Sequence, residues 1–323
     1  MDHQMSLYQS SQVVELRHAG ERTQVCMVEL PASASASVTA QQRRVLLIHG
    51  NPSHMDHWGL TVPALQQHAG VIAYDQPGFG RSSDFGDGLH GLERSADLAI
   101  AVLDKVGRSE PVDIVGHSHG ALVALALAAR SPHRVRSVVL LGTAGMPEHP
   151  MYRLFLLPGL DVGLLRLGRA LSPASHLPAH ATSSPTATVS SAQLLLEKLH
   201  RMVVRLMARS SFAPDAVPRS VVEDGVHAPP SMLQAMVRLA RDRPCQKLAD
   251  YAPRVRCPVL FIHARSDALV HISYARRLHA FMQRAGCAVR FVEIPGGHMA
   301  HFTQPQLIEP LLAAFMRENA LLA

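Results

Sequence analysis

The chain has 323 residues, 47% hydrophobic and 17% charged, with a mean hydropathy of +0.08. That is too much apolar surface for a disordered chain, and the length fits two domains or one large core with an insertion. No apolar run reaches the length of about 18 residues that a transmembrane helix needs. Nor does Met1-Asp2-His3-Gln4-Met5 resemble the basic start of a secretory signal. The expectation is a soluble, cytoplasmic globular protein.

The 31 basic and 25 acidic residues leave a net charge of +6, and only Lys105, Lys198 and Lys247 are lysines. The arginines are scattered, without dense runs or interleaved aromatics, so nucleic-acid binding gains no support. Cys26, Cys245, Cys257 and Cys287 have no metal-ligand spacing and read as reduced thiols, most of them buried. The 20 histidines nowhere form HExxH, so neither zinc nor any other metal is indicated, and no cofactor motif is seen.

Taken in chain order, Val13–Arg17 and Thr23–Leu30 read as an opening antiparallel pair, followed by a low-complexity surface excursion, Pro31–Gln42. Strand-like runs follow at Arg44–His49, Val71–Tyr74, Pro111–Val115, Val135–Leu141, Pro258–His263 and Val289–Ile294. Helical patterns lie between them at Leu92–Val106, Ala121–Ala129, Tyr274–Ala285 and Pro305–Asn319. This alternation predicts an α/β fold with a mainly parallel sheet covered on both faces.

From about Gly145 to Pro244 the rhythm breaks: no strand-like run appears, and a Ser/Ala/Thr/His/Pro stretch covers 172–191. Helical patterns follow at Ala192–Arg209 and Ser231–Arg241. The division expected is a core in two parts, 1–144 and 245–323, with a helical cap, 145–244, folded over the sheet. Arg201, Arg205 and Arg209 form a basic stripe opposite Leu195, Leu199, Met202 and Leu206. Such a helix can touch an anionic membrane, though a solvated cap face is the favoured reading.

The strongest chemical signal is Gly116-His117-Ser118-His119-Gly120, a G-x-S-x-G between the strand PVDIV and the helix ALVALALAA. A sharp strand-to-helix turn needs small residues at 116 and 120 and lifts Ser118 to the carboxyl end of a central strand. The helix N-terminus beside it favours developing negative charge. A serine nucleophile needs a base, and the base an orienting carboxylate. Asp267 follows the strand PVLFIH and His298 the strand VRFVEI, so both fall on the sheet edge that carries Ser118. Their order, Ser then acid then His, is the one this turn uses. Glu148, after Val135–Leu141, is the alternative acid.

These residues, with His49-Gly50-Asn51-Pro52, Asp75-Gln76-Pro77-Gly78-Phe79-Gly80-Arg81-Ser82 and Gly297-His298-Met299-Ala300-His301, make the chain resemble an α/β-hydrolase-fold enzyme outside the insertion. The resemblance implies an eight-stranded, mostly parallel sheet with helices on both faces and a helical cap. It implies Ser118, Asp267 and His298 as the catalytic residues, and the backbone amides of Asn51 and His119 as the oxyanion hole. Asp75 and Arg81 would be scaffold, His301 structural, and His117 and His119 pocket-lining. His-Gly-Asn-Pro is similar to haloalkane dehalogenases, but those use an Asp nucleophile where this chain has Ser118; an alkyl ether on serine would be a dead end.

The function implied is a cofactor-free serine hydrolase of a small, apolar carboxylic ester. A carbon–carbon bond hydrolase of a diketone from aromatic degradation would use the same residues. A third reading is a ligand-binding member of the fold without turnover; the complete Ser/Asp/His set argues against it, because a pure binder has no chemical need for it.

Overall fold

The computed structural model describes residues 6–18, 20–85, 90–147, 149–171 and 231–319, with residues 198, 202, 205, 209, 210 and 212–215 between them. Eight strands form one sheet: β1 Gln12–His18, β2 Glu21–Leu30, β3 Arg44–Ile48, β4 Gly70–Tyr74, β5 Val112–His117, β6 Val135–Leu141, β7 Val259–Ala264 and β8 Val289–Ile294. Their spatial order is β1-β2-β4-β3-β5-β6-β7-β8; β1 and β2 are antiparallel to their neighbours, and β3 to β8 run parallel. Each strand expected from sequence is present, with ends shifted by two residues at most. Described helices are α1 Val38–Gln42, α2 Val62–Leu65, α3 Leu92–Lys105, α4 His119–Arg130, α5 Pro150–Leu154, α6 Leu160–Leu171, α7 Ser231–Arg241, α8 Pro244–Tyr251, α9 Ile272–Arg284, α10 Ala300–Thr303 and α11 Pro305–Glu318.

Strands β4 and β5 are buried along their whole length, whereas edge strand β1 alternates between buried and exposed. Continuous burial is the signature of a parallel sheet covered on both faces. Alternate residues of one strand serve two cores. Leu46 and Ile48 of β3 belong to the core that also takes in α3, α4 and α9, while Val45 and Leu47 belong to the one that takes in α2 and α11. Helix α4 lies in the first core with every residue but Arg130 buried, which is why its sequence is apolar all round. At the opposite edge from the functional loops, buried Arg43 bridges Asp113 at 2.7 Å and donates to the Met316 carbonyl at 2.6 Å, tying α11 to the sheet.

Helices α5, α6 and α7 lie between β6 and β7. Met232, Ala235, Met236, Leu239 and Ala240 recur at helical spacing on the buried face of α7. Arg238 and His90 both pair with Asp84, and Arg241 pairs with Asp161 of α6. Most of 172–230, including much of the expected 192–209 helix, lies outside the described residues; Lys198, Met202, Arg205 and Arg209 within it are helical. Met202, expected on the apolar face, is 59% exposed. The thiols also depart from expectation: Cys26 and Cys245 are buried, but Cys257 and Cys287 near the ends of β7 and β8 are only partly so. Among the described residues no helix is long and apolar enough to cross a membrane.

Among the buried imidazoles at the carboxyl end of the sheet are five, His49, His57, His117, His119 and His301, whose burial leaves its mark on their titration. Burial pushes all five down, His49 and His119 to about 3 and the others well below the ordinary value. They are therefore neutral in the folded chain but titrate near 6.5 when it unfolds. As pH falls below that value, the unfolded state takes up protons that the folded state refuses. Each imidazole then costs about 1.4 kcal/mol of stability per pH unit, against a total stability of about 5–15 kcal/mol. The expected outcome is cooperative acid unfolding between about pH 5 and 6, above the carboxylate range. Circular dichroism during an acid titration checks it; a native spectrum retained down to about pH 4 would contradict it.

Candidate active site

Ser118 stands between β5 and α4 with φ 54° and ψ −115°, a backbone conformation that L side chains rarely adopt and that stores strain. Two bonds hold the turn: the Ser118 amide donates to the Leu141 carbonyl of β6 at 2.8 Å, and the Ala121 amide to the Ser118 carbonyl at 3.2 Å. Gly120 is required by contact, since a Cβ there would sit 2.3 Å from the Ile48 carbonyl oxygen. The turn thus presses against the end of β3 and points the start of α4, with its exposed dipole, at the space over Ser118.

Asp267 and His298 come together from the ends of β7 and β8. His298 Nδ1 donates to Asp267 Oδ2 at 2.7 Å, with both side chains almost fully buried. The other carboxylate oxygen, Oδ1, accepts the amides of Leu269 at 3.0 Å and Val270 at 2.7 Å. Burial alone would push this carboxyl up; the His298 charge and the imidazole donors override it and hold Asp267 well below the usual carboxylate range. The carboxylate is therefore ionised and fixes His298 with Nδ1 protonated and Nε2 free to accept. Ser118 Oγ and His298 Nε2 share this sheet edge without a hydrogen bond between them; such bonds often close only when substrate arrives.

The loop after β3 supplies the third wall. A Cβ on Gly50 would lie 2.8 Å from Ser118 Cβ, so only glycine lets this loop touch the turn. That contact sets the Asn51 backbone beside Ser118, and neither the Asn51 nor the His119 amide makes a hydrogen bond among the described residues. The loop is fixed from behind. The Gln76 amide donates to His49 Nε2 at 2.8 Å, so His49 carries its proton on Nδ1 and donates to the Gly50 carbonyl at 2.7 Å. Asp75 accepts from the Met55 and Arg81 amides, both at 2.8 Å, and from the Tyr8 hydroxyl at 2.9 Å. Asp75 and Arg81 are thus placed as scaffold.

All five expected site residues lie at this edge, while Glu148, the alternative acid, lies outside the described residues. His117 donates from Nε2 to the His298 carbonyl at 3.0 Å, and its ring lies 4.2 Å from that of His301. Both are packed inside the site's wall. His119 turns its ring to the inserted helices, where Nδ1 meets the Tyr152 hydroxyl of α5 at 2.8 Å. Sequence reasoning passed over Tyr152 and also His263, whose Nε2 lies 3.3 Å from Asp267 Oδ2. The signal for His263 was its place near the end of the strand whose loop carries Asp267; nothing local pointed to Tyr152. Chemically, the arrangement offers a strained hydroxyl and an oriented imidazole base on one sheet edge, with two nearby backbone amides that make no hydrogen bond among the described residues.

The sequence profile of the alpha/beta hydrolase fold matches residues 43–305. A 2-hydroxymuconate semialdehyde hydrolase of Pseudomonas sp. (strain CF600) is 40% identical over 105 residues, which are 32% of this chain and 37% of that relative. The chain thus spans little more than a third of that relative in the match. A pyrrolizixenacetamide deacetylase of Xenorhabdus hominickii is 25% identical over 88% of this chain and 95% of that protein. Among solved structures, a thermophilic esterase from Thermogutta terrifontis superposes with a TM-score of 0.71 at 20% identity, over 96% of this chain and 99% of the esterase. A hydrolase from Pseudomonas aeruginosa gives 0.70 at 19% identity, over 94% and 98%. These structural likenesses bear on the fold, and the profile match extends through β3, the Ser118 turn, Asp267 and His298: the chain belongs to the alpha/beta hydrolase fold family.

Proposed function

We propose that the protein is a serine hydrolase that cleaves a small, apolar carboxylic ester through an acyl-enzyme. The observation that carries the reading is the hydrogen-bonded Asp267–His298 pair on the sheet edge where Ser118 is held at positive φ. Ser118 Oγ attacks the ester carbonyl as His298 Nε2 takes its proton. The oxyanion that forms is held by the Asn51 and His119 amides, a donor of this kind being worth about 2.7–4 kcal/mol in the transition state. The imidazolium, stabilised by Asp267, returns the proton to the leaving alcohol and leaves the acyl group on Ser118. Water, deprotonated by His298, then attacks the acyl carbonyl and releases the acid. No step draws on a cofactor.

The division into a core of 1–144 and 245–323 with a cap of 145–244 belongs to this proposal. In it α5 to α7 bound the acyl side, and the His119–Tyr152 bond couples the cap to the nucleophile turn. A second reading, hydrolysis of a carbon–carbon bond in a diketone, is favoured by the likeness to the 2-hydroxymuconate semialdehyde hydrolase. It calls for a cap cation free to meet a substrate carboxylate. Arg238 and Arg241 are engaged by Asp84 and Asp161, whereas Arg153 of α5 and Arg166 of α6 are exposed and form no ion pair among the described residues, so the choice between the two readings falls to the assay.

Hydrolysis of p-nitrophenyl esters from acetate to palmitate, run beside Ser118→Ala, tests the reading. The expected result is turnover that falls about 10⁴-fold or more in Ser118→Ala and by a comparable factor in Asp267→Asn. The chain length turned over fastest then measures the acyl pocket. No turnover of any ester, with a fluorophosphonate still labelling Ser118, would move the assignment to the carbon–carbon hydrolase. Undiminished activity in Ser118→Ala would overturn both.

A further inference from the structure

The Asp267 carboxylate receives two imidazoles. His298 Nδ1 reaches Oδ2 at 2.7 Å, and His263 Nε2, from the penultimate residue of β7, approaches the same oxygen at 3.3 Å. His263 Nε2 also lies 2.8 Å from the Val270 carbonyl oxygen. A carbonyl can only accept, so this nitrogen carries the proton and donates it to Val270 O, while Asp267 Oδ2 lies beside the same nitrogen at 3.3 Å. Val270 in turn donates its amide to Oδ1 of the same carboxylate at 2.7 Å. His263 and the 267–270 loop therefore close around the carboxylate, which accepts two amides on one oxygen and, on the other, accepts from His298 with the His263 ring alongside.

The other nitrogen of His263 supplies an independent observation. Nδ1 is buried and has no hydrogen-bond partner among the described residues, and the whole residue is only 1% exposed. A buried polar atom without a partner is a cost that an aliphatic side chain of similar size would avoid. What the imidazole supplies in exchange is the donor at Nε2. It faces the oxygen that must stay aligned with His298 while charge develops on that ring.

We infer that His263 is a positioning residue for hydrolysis: its Nε2, bonded to the Val270 carbonyl and 3.3 Å from Oδ2, keeps the Asp267 carboxylate in the plane and register at which Oδ2 receives His298 Nδ1–H. The inference rests on the reading of Ser118, Asp267 and His298 as the catalytic set. His263 touches no substrate. Without its donor the 267–270 loop loses its tie at the Val270 carbonyl, the carboxylate shifts with the loop amides that hold Oδ1, and His298 spends less time aimed at Ser118. Substrate binding is left alone, so the loss falls on kcat and not on KM.

His263→Met and His263→Gln make the test, because the two chains are of similar length and differ in the terminal donor: Gln carries an N–H close to where the imidazole Nε2 sits. The expected result is a kcat at least about tenfold lower in the Met variant, with KM within about threefold, and a kcat within about threefold of the parent in the Gln variant. In proton NMR the His298 Nδ1–H resonance is expected to shift in the Met variant and hold its place in the Gln variant. Equal kcat in Met and parent, equal losses in Met and Gln, or failure of both variants to fold would each overturn the proposal. Ser118→Ala is assayed alongside. Retained activity there would show that the reading of the site had failed, whatever His263 does.

Discussion

The positive φ at Ser118 is the constraint on which the rest of the site depends. Holding a serine at φ 54° requires that β5 end abruptly, that α4 begin at once, and that both be clamped by neighbours that do not yield. The clamps are the Leu141 carbonyl of β6, the end of β3 against Gly120, and Gly50 against the serine itself. Central strands buried on both faces supply that rigidity, because a packed interior transmits strain and does not absorb it. The same clamps hold the loop that carries Asn51 and the start of α4 that carries His119, so nucleophile strain and the proposed oxyanion site depend on one geometry.

Much of this edge was legible in the sequence, for reasons tied to particular residues. The eight strands announced themselves as short apolar runs, and parallel strands have to be apolar on both faces. Ser118 was legible because the turn is local: Gly116 and Gly120 flank it between a strand and a helix. Asp267 and His298 were legible as loop residues immediately after strands, since parallel strands deliver their following loops to a common edge. What stayed hidden depends on contacts between distant segments. His263 was one more residue of a strand until its side chain was seen turned toward Asp267. Tyr152 bears on His119 across 33 positions through the placement of α5, which no local pattern specifies. The thiols show the converse: composition favoured burial, yet Cys257 and Cys287 sit near strand ends where the sheet stops being covered.

The histidines give the site its second physical character. A neutral imidazole offers a hydrogen-bonding ring nitrogen without the cost of a buried charge, and here that property is used more than once. His49 ties the Gly50 carbonyl to the Gln76 amide, and His117 anchors the His298 backbone. Each fixes a backbone that the chemistry needs held still. The neutrality that lets them pack also makes the fold sensitive to acid, so the features that orient the base and the amides bound the pH range in which they persist.

The central claim is that Ser118 becomes covalently acylated in the course of turnover. Intact-protein mass spectrometry after rapid acid quench, with an ester that the enzyme hydrolyses, tests it most directly. The account predicts an added mass equal to the acyl group, mapped by proteolysis to the peptide carrying Ser118 and absent in Ser118→Ala. Steady hydrolysis with the adduct on another residue, or hydrolysis undiminished in Ser118→Ala, would contradict it.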